Sequence, residues 1–307
     1  MSTPTRELRV SAKDAGARLD AFVGARAGVS RAVAAKLIGS GAVTVDGRAA
    51  TKSLRVEEGM SVTVSLPDVV TTSLDAEDIP VTIVYEDEHL LVVSKPAGLV
   101  VHPAPGHPSG TLVNALLARA GALPAGGSAE RPGIVHRLDA GTSGLMIVAK
   151  NEATHAALTE ALAARAVTRV YTALVEGNPD TDTATIDAPI ARSMRNRKKM
   201  GVVAGGRDSI TEITVLERHR DTALVEARPI TGRTHQIRVH LAAAEHPVAG
   251  DRVYGRDRKL AAALGLDRPF LHAARLSFEH PSTGARIELI DPLPPDLVEA
   301  LELARAR

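Results

Sequence analysis

Cysteine and tryptophan are absent from this sequence of 307 residues, and aromatic side chains are scarce. Without cysteine the chain can form no disulfide, no thiolate zinc site, no iron–sulfur cluster and no covalent intermediate on a cysteine nucleophile. Apolar residues still make up 44% of the chain, which is typical of a globular protein. Because the aromatic residues are only three Phe and three Tyr, we expect an aliphatic core.

Long apolar runs are missing as well. No stretch approaches the roughly 18 apolar residues that a membrane-spanning helix needs. Residues 1–20 are charged throughout and lack the apolar core of a signal peptide. Together with the absence of cysteine, these features predict a protein of the cytoplasm.

The formal net charge of +1 is unevenly distributed along the chain. Residues 1–66 carry ten Lys or Arg and six Asp or Glu, whereas residues 67–307 carry 27 basic and 30 acidic side chains. A basic N-terminal region indicates a polyanionic partner. Chance can also produce so small an excess.

This basic region has the pattern of two short helices followed by a hairpin. Apolar residues share one face of a helix that starts near Arg18, and Ser30 is a good N-cap for a second helix. Asp46-Gly47 predicts a hairpin turn, and residues 61–66 alternate like a strand. The segments RLDAFV, VSRAVAAKLIGSGAVTVDGR and EEGMSVTV resemble the S4-type RNA-binding domain.

The resemblance to this RNA-binding module implies which side chains contact RNA. The residues that it places against phosphates are Arg18, Ser30, Arg31 and Lys36. The alternative for each is an ordinary solvated position on a helix.

The composition predicts three parts along the chain. Residues 67–80 contain two prolines and four acids and few aliphatic side chains, which favours a linker between domains at residues 1–66 and 81–307. In the second domain, strand-like and helix-like segments are interspersed without an even βαβα alternation. We therefore expect an α+β fold with a mixed, largely antiparallel sheet, preceded by a small αα-β domain.

Two polar clusters interrupt the apolar pattern of the second domain. The first, GIVHRLDAGTSG, contains Asp139 in a glycine-bounded loop between apolar segments, as in a loop that carries a functional group. A turn or cap role for Asp139 is the alternative. The second, TGRTHQIRVH, has two arginines and two histidines, and an arginine fork is a suitable partner for a buried carboxylate. An active site assembled across the sheet would require these two clusters.

A metal site is the competing interpretation of the second cluster. It would use His235, His240, His246 and Asp251. Their spacing does not match a known zinc-ligand pattern, so we expect no metal.

Several segments together point to a family. GIVHRLDAGTSGLMIVAK, RVYTALVEG, TGRTHQIRVHLAAAEHPVAGDRVYG and LHAARLSFEHPSTG, preceded by KPAGLVVHP, resemble the RluA/RluD family of RNA pseudouridine synthases. The resemblance spans about residues 81–300. It implies an isomerase that detaches uracil from ribose, rotates it and rejoins it through C5, without metal or cofactor.

The same resemblance implies roles for three residues in the chemistry. Asp139 is the catalytic aspartate, which either attacks as a nucleophile or removes a ribose proton. Arg233 is the arginine that pairs with this carboxylate. Tyr171 stacks on the target base, although half-buried strand packing is the ordinary role of a tyrosine there.

Further residues are implied at the edges of the site. Arg137 fills the space left by the flipped nucleotide, Ile237 packs beside the base, and His136 shapes the loop. The sequence departs from the family pattern at Ala140-Gly141, where charged residues are common, and at Arg169, where many relatives have lysine. These departures affect the expected phosphate contacts.

A basic segment, RSMRNRKK at residues 192–199, has five cations in eight residues. It predicts a mobile arm that closes on RNA phosphates, with a solvated basic loop as the alternative. The arm residues expected to bind RNA are Arg195, Arg197, Lys198 and Lys199.

The expected function is therefore pseudouridine formation in large-subunit ribosomal RNA by a monomeric enzyme. Transfer RNA as substrate, a non-catalytic ribosomal RNA-binding relative and an aspartate-based N-glycoside hydrolase remain open. A uracil C5 methyltransferase with a cysteine nucleophile is excluded by the absence of cysteine.

Overall fold

The computed structural model describes residues 5–27, 31–65, 74–104, 106–120, 123–124, 131–194, 196–197 and 199–307. The chain forms two compact units, Met1–Ser73 and Leu74–Arg307. The predicted linker, residues 67–80, spans the boundary between them. Its first part, residues 67–73, lies outside the described residues.

The first unit is a small antiparallel sheet with two helices. Its elements are β1 (Thr5–Arg9), α1 (Leu19–Ala27), α2 (Arg31–Gly39), β2 (Val43–Val45), β3 (Arg48–Ala49) and β4 (Ser61–Ser65). The strand order is β1-β4-β2-β3. Val43, Val62 and Val64 are fully buried and form one cluster with Leu19 and Phe22 of α1. The alternation of apolar residues in β2 and β4 therefore places one face of the sheet against the helices.

The predicted hairpin turn between β2 and β3 is present. Asp46 and Gly47 both have positive φ, 48° and 76°, as a two-residue turn of the mirror-image type requires. Strand β1 was not predicted, because its sequence TRELR is mostly charged; it is held by antiparallel pairing with β4.

The second unit contains the larger sheet and five helices within its described residues. Its elements are β5 (Thr82–Glu86), β6 (Leu90–Lys95), α3 (Leu112–Ala120), β7 (Ser143–Ala149), α4 (Glu152–Ala163), β8 (Thr168–Glu176), β9 (Thr183–Asp187), β10 (Ile190–Arg192), β11 (Met200–Val202), β12 (Ile210–Arg218), β13 (Thr222–Pro229), α5 (Gln236–Ala243), α6 (Arg258–Ala263), β14 (Leu271–Glu279), β15 (Arg286–Ile290) and α7 (Pro295–Arg305).

Nine of these strands form one sheet in the order β5-β6-β7-β14-β8-β13-β12-β9, with β15 also paired to β14. Strands β7 and β14 pair in parallel through two residue pairs, while the other described pairs in the sheet are antiparallel. The predicted α+β class with a mixed, largely antiparallel sheet is confirmed. Strands β10 and β11 form a separate two-stranded hairpin.

Both faces of the sheet are covered at β6 and β7, which explains their uninterrupted apolar sequences. Leu91 and Met146 belong to a cluster that includes residues of α3, α5, α6 and α7. Leu90 and Ile147 point to the other face and pack in a cluster with Leu158 of α4. The buried residues are mainly Val, Leu, Ile and Ala, as expected. None of the helices in the described ranges is long and apolar enough to cross a membrane.

Gly144 permits the close approach of β7 and β14. Its φ is 113°, and a Cβ atom there would lie 2.4 Å from the carbonyl oxygen of Ala273 on β14. Only glycine fits so near a neighbouring backbone in this conformation. The loop that precedes β7 is thereby joined to a strand near the C-terminus.

Candidate active site

Asp139 lies on the loop before β7, and two cations, Lys95 and Arg268, hold the backbone on its C-terminal side. The Lys95 ammonium donates to the Ala140 carbonyl at 3.2 Å, and Arg268 Nη1 donates to the Gly141 carbonyl at 3.3 Å. The Thr142 amide closes a turn on the Asp139 carbonyl at 3.1 Å. This turn was the alternative role considered for Asp139, but the turn uses its backbone and leaves its carboxylate available.

Lys95 is a buried residue beside the Asp139 loop that sequence reasoning missed. Its side chain is fully buried, and its ammonium also donates to the carbonyls of Pro96 and Leu99 at 2.8 and 3.0 Å. The pKa of Lys95 is lowered to about 7. Burial is the main cause, Arg268 acts in the same direction, and the negative charge of Asp139 opposes them. The motif KPAG indicated only a loop, yet its lysine ties that loop to the one that carries Asp139.

The Asp139 carboxylate is paired with a buried arginine of α5. Arg238 Nη1 donates to Asp139 Oδ2 at 2.9 Å, while Arg238 Nε and Nη2 donate to both oxygens of Asp251 at 2.6 and 2.9 Å. The Arg238 side chain is 8% exposed, and that of Asp251 is fully buried. The guanidinium fork is thus fixed from one side by Asp251 and presents its remaining edge to Asp139.

The two carboxylates stabilise the positive charge of Arg238. Burial alone would lower the pKa of Arg238, but hydrogen bonds and charge from Asp251 and Asp139 outweigh it and raise the pKa above its ordinary value. Burial also disfavours the charged form of Asp251 and would raise its pKa. Arg238 and two backbone N–H groups nevertheless hold the pKa of Asp251 below its usual range. Arg238 is therefore a permanent cation beside Asp139.

The expectation that Arg233 pairs with Asp139 was wrong. Arg233 lies in the turn before α5, where its Nε donates to the Asp208 carbonyl at 3.2 Å and its amide donates to Gln236 Oε1 at 3.0 Å. Arg238 lies on the first turn of the helix, and this position directs its side chain to the Asp139 loop. Both arginines belong to the motif TGRTHQIRVH, so sequence reasoning found the segment and chose the wrong residue.

His235 is a second group beside Asp139 that the sequence argument did not assign to the site. It precedes α5 with φ 57° and ψ 21°, a left-handed conformation, and makes no side-chain cap. Such a conformation in a non-glycine residue costs energy and is concentrated at functional sites. Its Nε2 lies 3.9 Å from Asp139 Oδ1, and its Nδ1 lies 2.9 Å from the Tyr254 hydroxyl.

A cleft of about 360 Å³ opens over Asp139, a volume typical of small-molecule sites. The six residues predicted for the site all line this cleft: His136, Arg137, Asp139, Tyr171, Arg233 and Ile237.

The apolar wall of the cleft comes from β8 and α5. Tyr171 and Ile237 are 7% and 6% exposed and pack in the same apolar cluster. Burial raises the pKa of Tyr171, outweighing the opposing positive charge of Arg169, and the negative charge of Asp139 acts in the same direction as burial. The phenol is therefore protonated near neutral pH, with its ring facing the cleft that contains Asp139.

His136 and Arg137 have opposite environments on the same loop. His136 Nε2 accepts the Ile147 amide at 3.0 Å, and burial, with a contribution from Arg169, lowers the pKa of His136 to about 3. This neutral ring fastens the loop to β7. Arg137 is exposed at the edge of the cleft.

Two known protein families match this chain. The family model described as RNA pseudouridylate synthase matches residues 89–243, and the model described as S4 domain matches residues 17–62. The chain belongs to the RNA pseudouridine synthase family. It is thus an isomerase that modifies RNA, with an S4 domain at its N-terminal end.

Curated relatives match this synthase over nearly its full length. An uncharacterized RNA pseudouridine synthase, YlyB of Bacillus subtilis, is 42% identical over 97% of this chain and 98% of its own. Ribosomal large subunit pseudouridine synthase D of Zymomonas mobilis is 41% identical over 96% of both chains. Among solved structures, human RNA pseudouridylate synthase domain containing 1 matches with a TM-score of 0.57 and 29% identity, over 71% of this chain and 86% of that one.

The residues considered for a metal site serve other purposes in the synthase. His240 contacts Thr211 Oγ1 and the Ala188 carbonyl at 2.8 and 2.9 Å, and Asp251 binds Arg238. Within the described ranges no group of three or more His, Cys, Asp or Glu side chains is arranged to hold a metal ion.

The RNA-binding residues predicted in the S4 domain are described only in part. The Arg18 guanidinium binds the Asp20 carboxylate at 3.0 Å and is 38% exposed. Arg31 and Lys36 lie on α2, but nothing is described of their side chains, and Ser30 lies outside the described residues.

The predicted basic arm corresponds to the β10–β11 hairpin of the synthase. Arg197 is exposed, and its carbonyl accepts a hydrogen bond from Arg192. Lys199 is half-buried, donates to the Val253 carbonyl at 2.6 Å, and lies 5.9 Å from the centre of the Tyr254 ring. Arg195 and Lys198 lie outside the described residues.

Proposed function

We propose that this synthase converts uridine to pseudouridine in large-subunit ribosomal RNA, with Asp139 as the essential carboxylate. The observation that supports the catalytic role is the pairing of Asp139 with the buried Arg238 inside a cleft that has one apolar wall. The name of the Zymomonas mobilis relative supports the choice of RNA.

The proposed reaction exchanges one bond of ribose C1′ for another. The bond to uracil N1 breaks, the base rotates, C1′ bonds to C5, and the proton on C5 leaves while N1 gains one. Asp139 starts the reaction either by attack on C1′ or by removal of a ribose proton. Arg238 engages Oδ2, so Oδ1 is the oxygen assigned to the ribose.

The detached base must stay in the cleft while it rotates. We assign this task to the apolar wall, where the Tyr171 ring and the Ile237 side chain exclude water and contact the base. Because burial raises the pKa of Tyr171, its hydroxyl stays protonated and serves as a hydrogen-bond donor. Tyr171 is therefore not assigned the role of an ionised base.

The target nucleotide must leave its stack to reach Asp139, since reacting atoms are inaccessible within a helix. Arg137, exposed at the edge of the cleft, is the side chain assigned to the vacated space. Arg192 and Arg197 on the β10–β11 hairpin, and the S4 domain, are assigned to phosphates, where they contribute affinity that falls with salt.

Tritium release tests the proposal. Ribosomal RNA with tritium at uracil C5, taken from a strain that lacks the protein, is incubated with wild type, Asp139→Asn and the surface control Glu212→Gln. We expect release by wild type and the control, and a loss of roughly 10²–10⁴-fold or more in Asp139→Asn.

Each alternative has its own signature in this assay. Release of free uracil would indicate hydrolysis. Release of tritium from transfer RNA, with none from ribosomal RNA, would refute the proposed substrate. Full activity of Asp139→Asn would refute the role of the carboxylate.

A further inference from the structure

The Tyr254 hydroxyl lies between the basic hairpin and the candidate catalytic centre. It accepts a hydrogen bond from the Met200 amide of β11 at 3.0 Å. It also lies 2.9 Å from His235 Nδ1, whose ring reaches toward Asp139. A continuous chain of contacts therefore runs from the hairpin through Tyr254 and His235 to Asp139.

The direction of the protons in this chain follows from its first donor. A backbone N–H can only donate, so Met200 makes the Tyr254 oxygen an acceptor. The oxygen keeps a second lone pair, but among the described partners of this hydroxyl only His235 Nδ1 can accept the phenol proton. Nδ1 is therefore assigned as the acceptor, which leaves the imidazole proton on Nε2. That N–H is the group 3.9 Å from Asp139 Oδ1. Burial raises the pKa of Tyr254 and lowers that of His235, which keeps both groups neutral.

The ring of Tyr254 makes a second connection between the hairpin and the site. The Arg238 guanidinium lies 5.1 Å from the ring centre, and Lys199 of the hairpin lies 5.9 Å from it; both distances suit cation–π contact. The backbone of the turn is fixed by Asp251 Oδ1, which accepts the amides of Val253 and Tyr254 at 2.8 and 3.1 Å. Asp251 thus holds both Arg238 and the turn that carries Tyr254.

We propose that Tyr254 is a positioning residue that couples the placement of the β10–β11 hairpin to the catalytic pair through His235. With the hairpin in place, His235 presents an N–H to Asp139 Oδ1. If the hairpin moves away, the Tyr254 hydroxyl loses the Met200 donor and is exposed to water, which accepts a hydrogen bond from the phenol O–H and leaves the oxygen to accept from Nδ1–H. The unprotonated Nε2 lone pair then faces the carboxylate. RNA held by Arg192 and Arg197 thereby selects the arrangement in which the Nε2–H of His235 faces Asp139 Oδ1.

This inference rests on the proposed function for its kinetic consequence, and Tyr254→Phe tests it. The variant keeps the ring on Arg238 and removes the hydroxyl. We expect kcat to fall about 5-fold to 10-fold, the effect of one lost hydrogen bond, with KM for RNA unchanged. Arg197→Ala should instead raise KM. Tyr85→Phe is the matched control: it removes a tyrosine hydroxyl that binds Asp87, away from the cleft, and should leave kcat unchanged.

The tautomer of His235 is a second readout that needs no RNA. Ring ¹⁵N spectra of histidine-labelled protein, assigned with His235→Gln, should show Nε2–H in wild type and a shift toward Nδ1–H in Tyr254→Phe. An Nδ1–H or charged ring in wild type would overturn the proposal, as would a wild-type kcat in Tyr254→Phe. Inactivity of wild type on every RNA would refute the proposed function but not this inference. The tautomer of His235 would then decide whether Tyr254 couples the hairpin to His235.

Discussion

Replacing Arg238 by methionine removes the cation that lies between two carboxylates, one of them fully buried. Methionine fills similar space, but Asp251 keeps its charge without a partner, and Asp139 loses its hydrogen bond. Breaking a buried ion pair in this way costs about 3–5 kcal/mol. For a domain of this size that corresponds to a fall in Tm of roughly 6–20 °C.

The cost should depend on pH in a defined direction. In wild type the pKa of Asp251 is held below its usual range, so its contribution to stability is present above the unfolded pKa and is lost as pH falls. Without Arg238, burial dominates and raises the pKa of Asp251 above that of the unfolded chain. The variant then gains stability as pH falls through that raised value. We therefore expect a smaller stability difference at pH 5 than at pH 7.

Urea unfolding at both pH values, with tritium release from RNA, measures the two effects. Activity of Arg238→Met should fall roughly 10²–10³-fold, the range for removal of a charge-stabilising donor. Arg233→Met is the matched control, and its stability should stay within about 0.5 kcal/mol of wild type. Wild-type stability and activity in Arg238→Met, with both lost in Arg233→Met, would refute the assignment.

Two further predictions concern the loop that carries Asp139. Gly144→Ala should lower the free energy of unfolding by about 2–4 kcal/mol, because its Cβ would lie 2.4 Å from the Ala273 carbonyl; Gly98→Ala, with positive φ but open space, should lose less, and equal losses in urea unfolding would contradict the steric argument. The pKa of His136, about 3 in the folded protein, lies below its unfolded value, so stability should fall as pH decreases from about 6.5 to 3, by up to about 1.4 kcal/mol per unit. His136→Gln, measured by denaturation across this range, should show a shallower fall, and parallel curves would count against a buried neutral ring.

The strands buried on both faces were predictable from the sequence, whereas β14 was not. Strands β6 and β7 have short, uninterrupted apolar runs, which are typical of strands that are buried on both faces. Strand β14, LHAARLSFE, mixes apolar and charged residues because its partners change along its length, from β7 and β8 to β15. Those pairings depend on residues far apart in the chain, which local patterns do not encode.

The sequence was sufficient to predict which segments form the candidate site. It was not sufficient to predict which side chains of those segments point into it. The sequence predicted that the Asp139 loop, the Tyr171 strand and the motif with two arginines converge, and they line one cleft. Which arginine meets Asp139 depends on where α5 begins, and that is decided by the left-handed turn at His235. Nothing in the motif indicated a non-glycine residue in that conformation.

The position of β14 in the sheet has a consequence for synthesis of the protein. Strands β7 and β8 follow each other in sequence, yet β14 lies between them. Asp139 precedes β7, while Tyr171 lies on β8 and Arg238 follows β13, so the two sides of the cleft belong to the two halves that β14 joins. A ribosome that has made the first 270 residues has already supplied Asp139, Tyr171 and Arg238. The strand that brings them together is still missing, so the cleft can assemble only after residues 271–279 have been made.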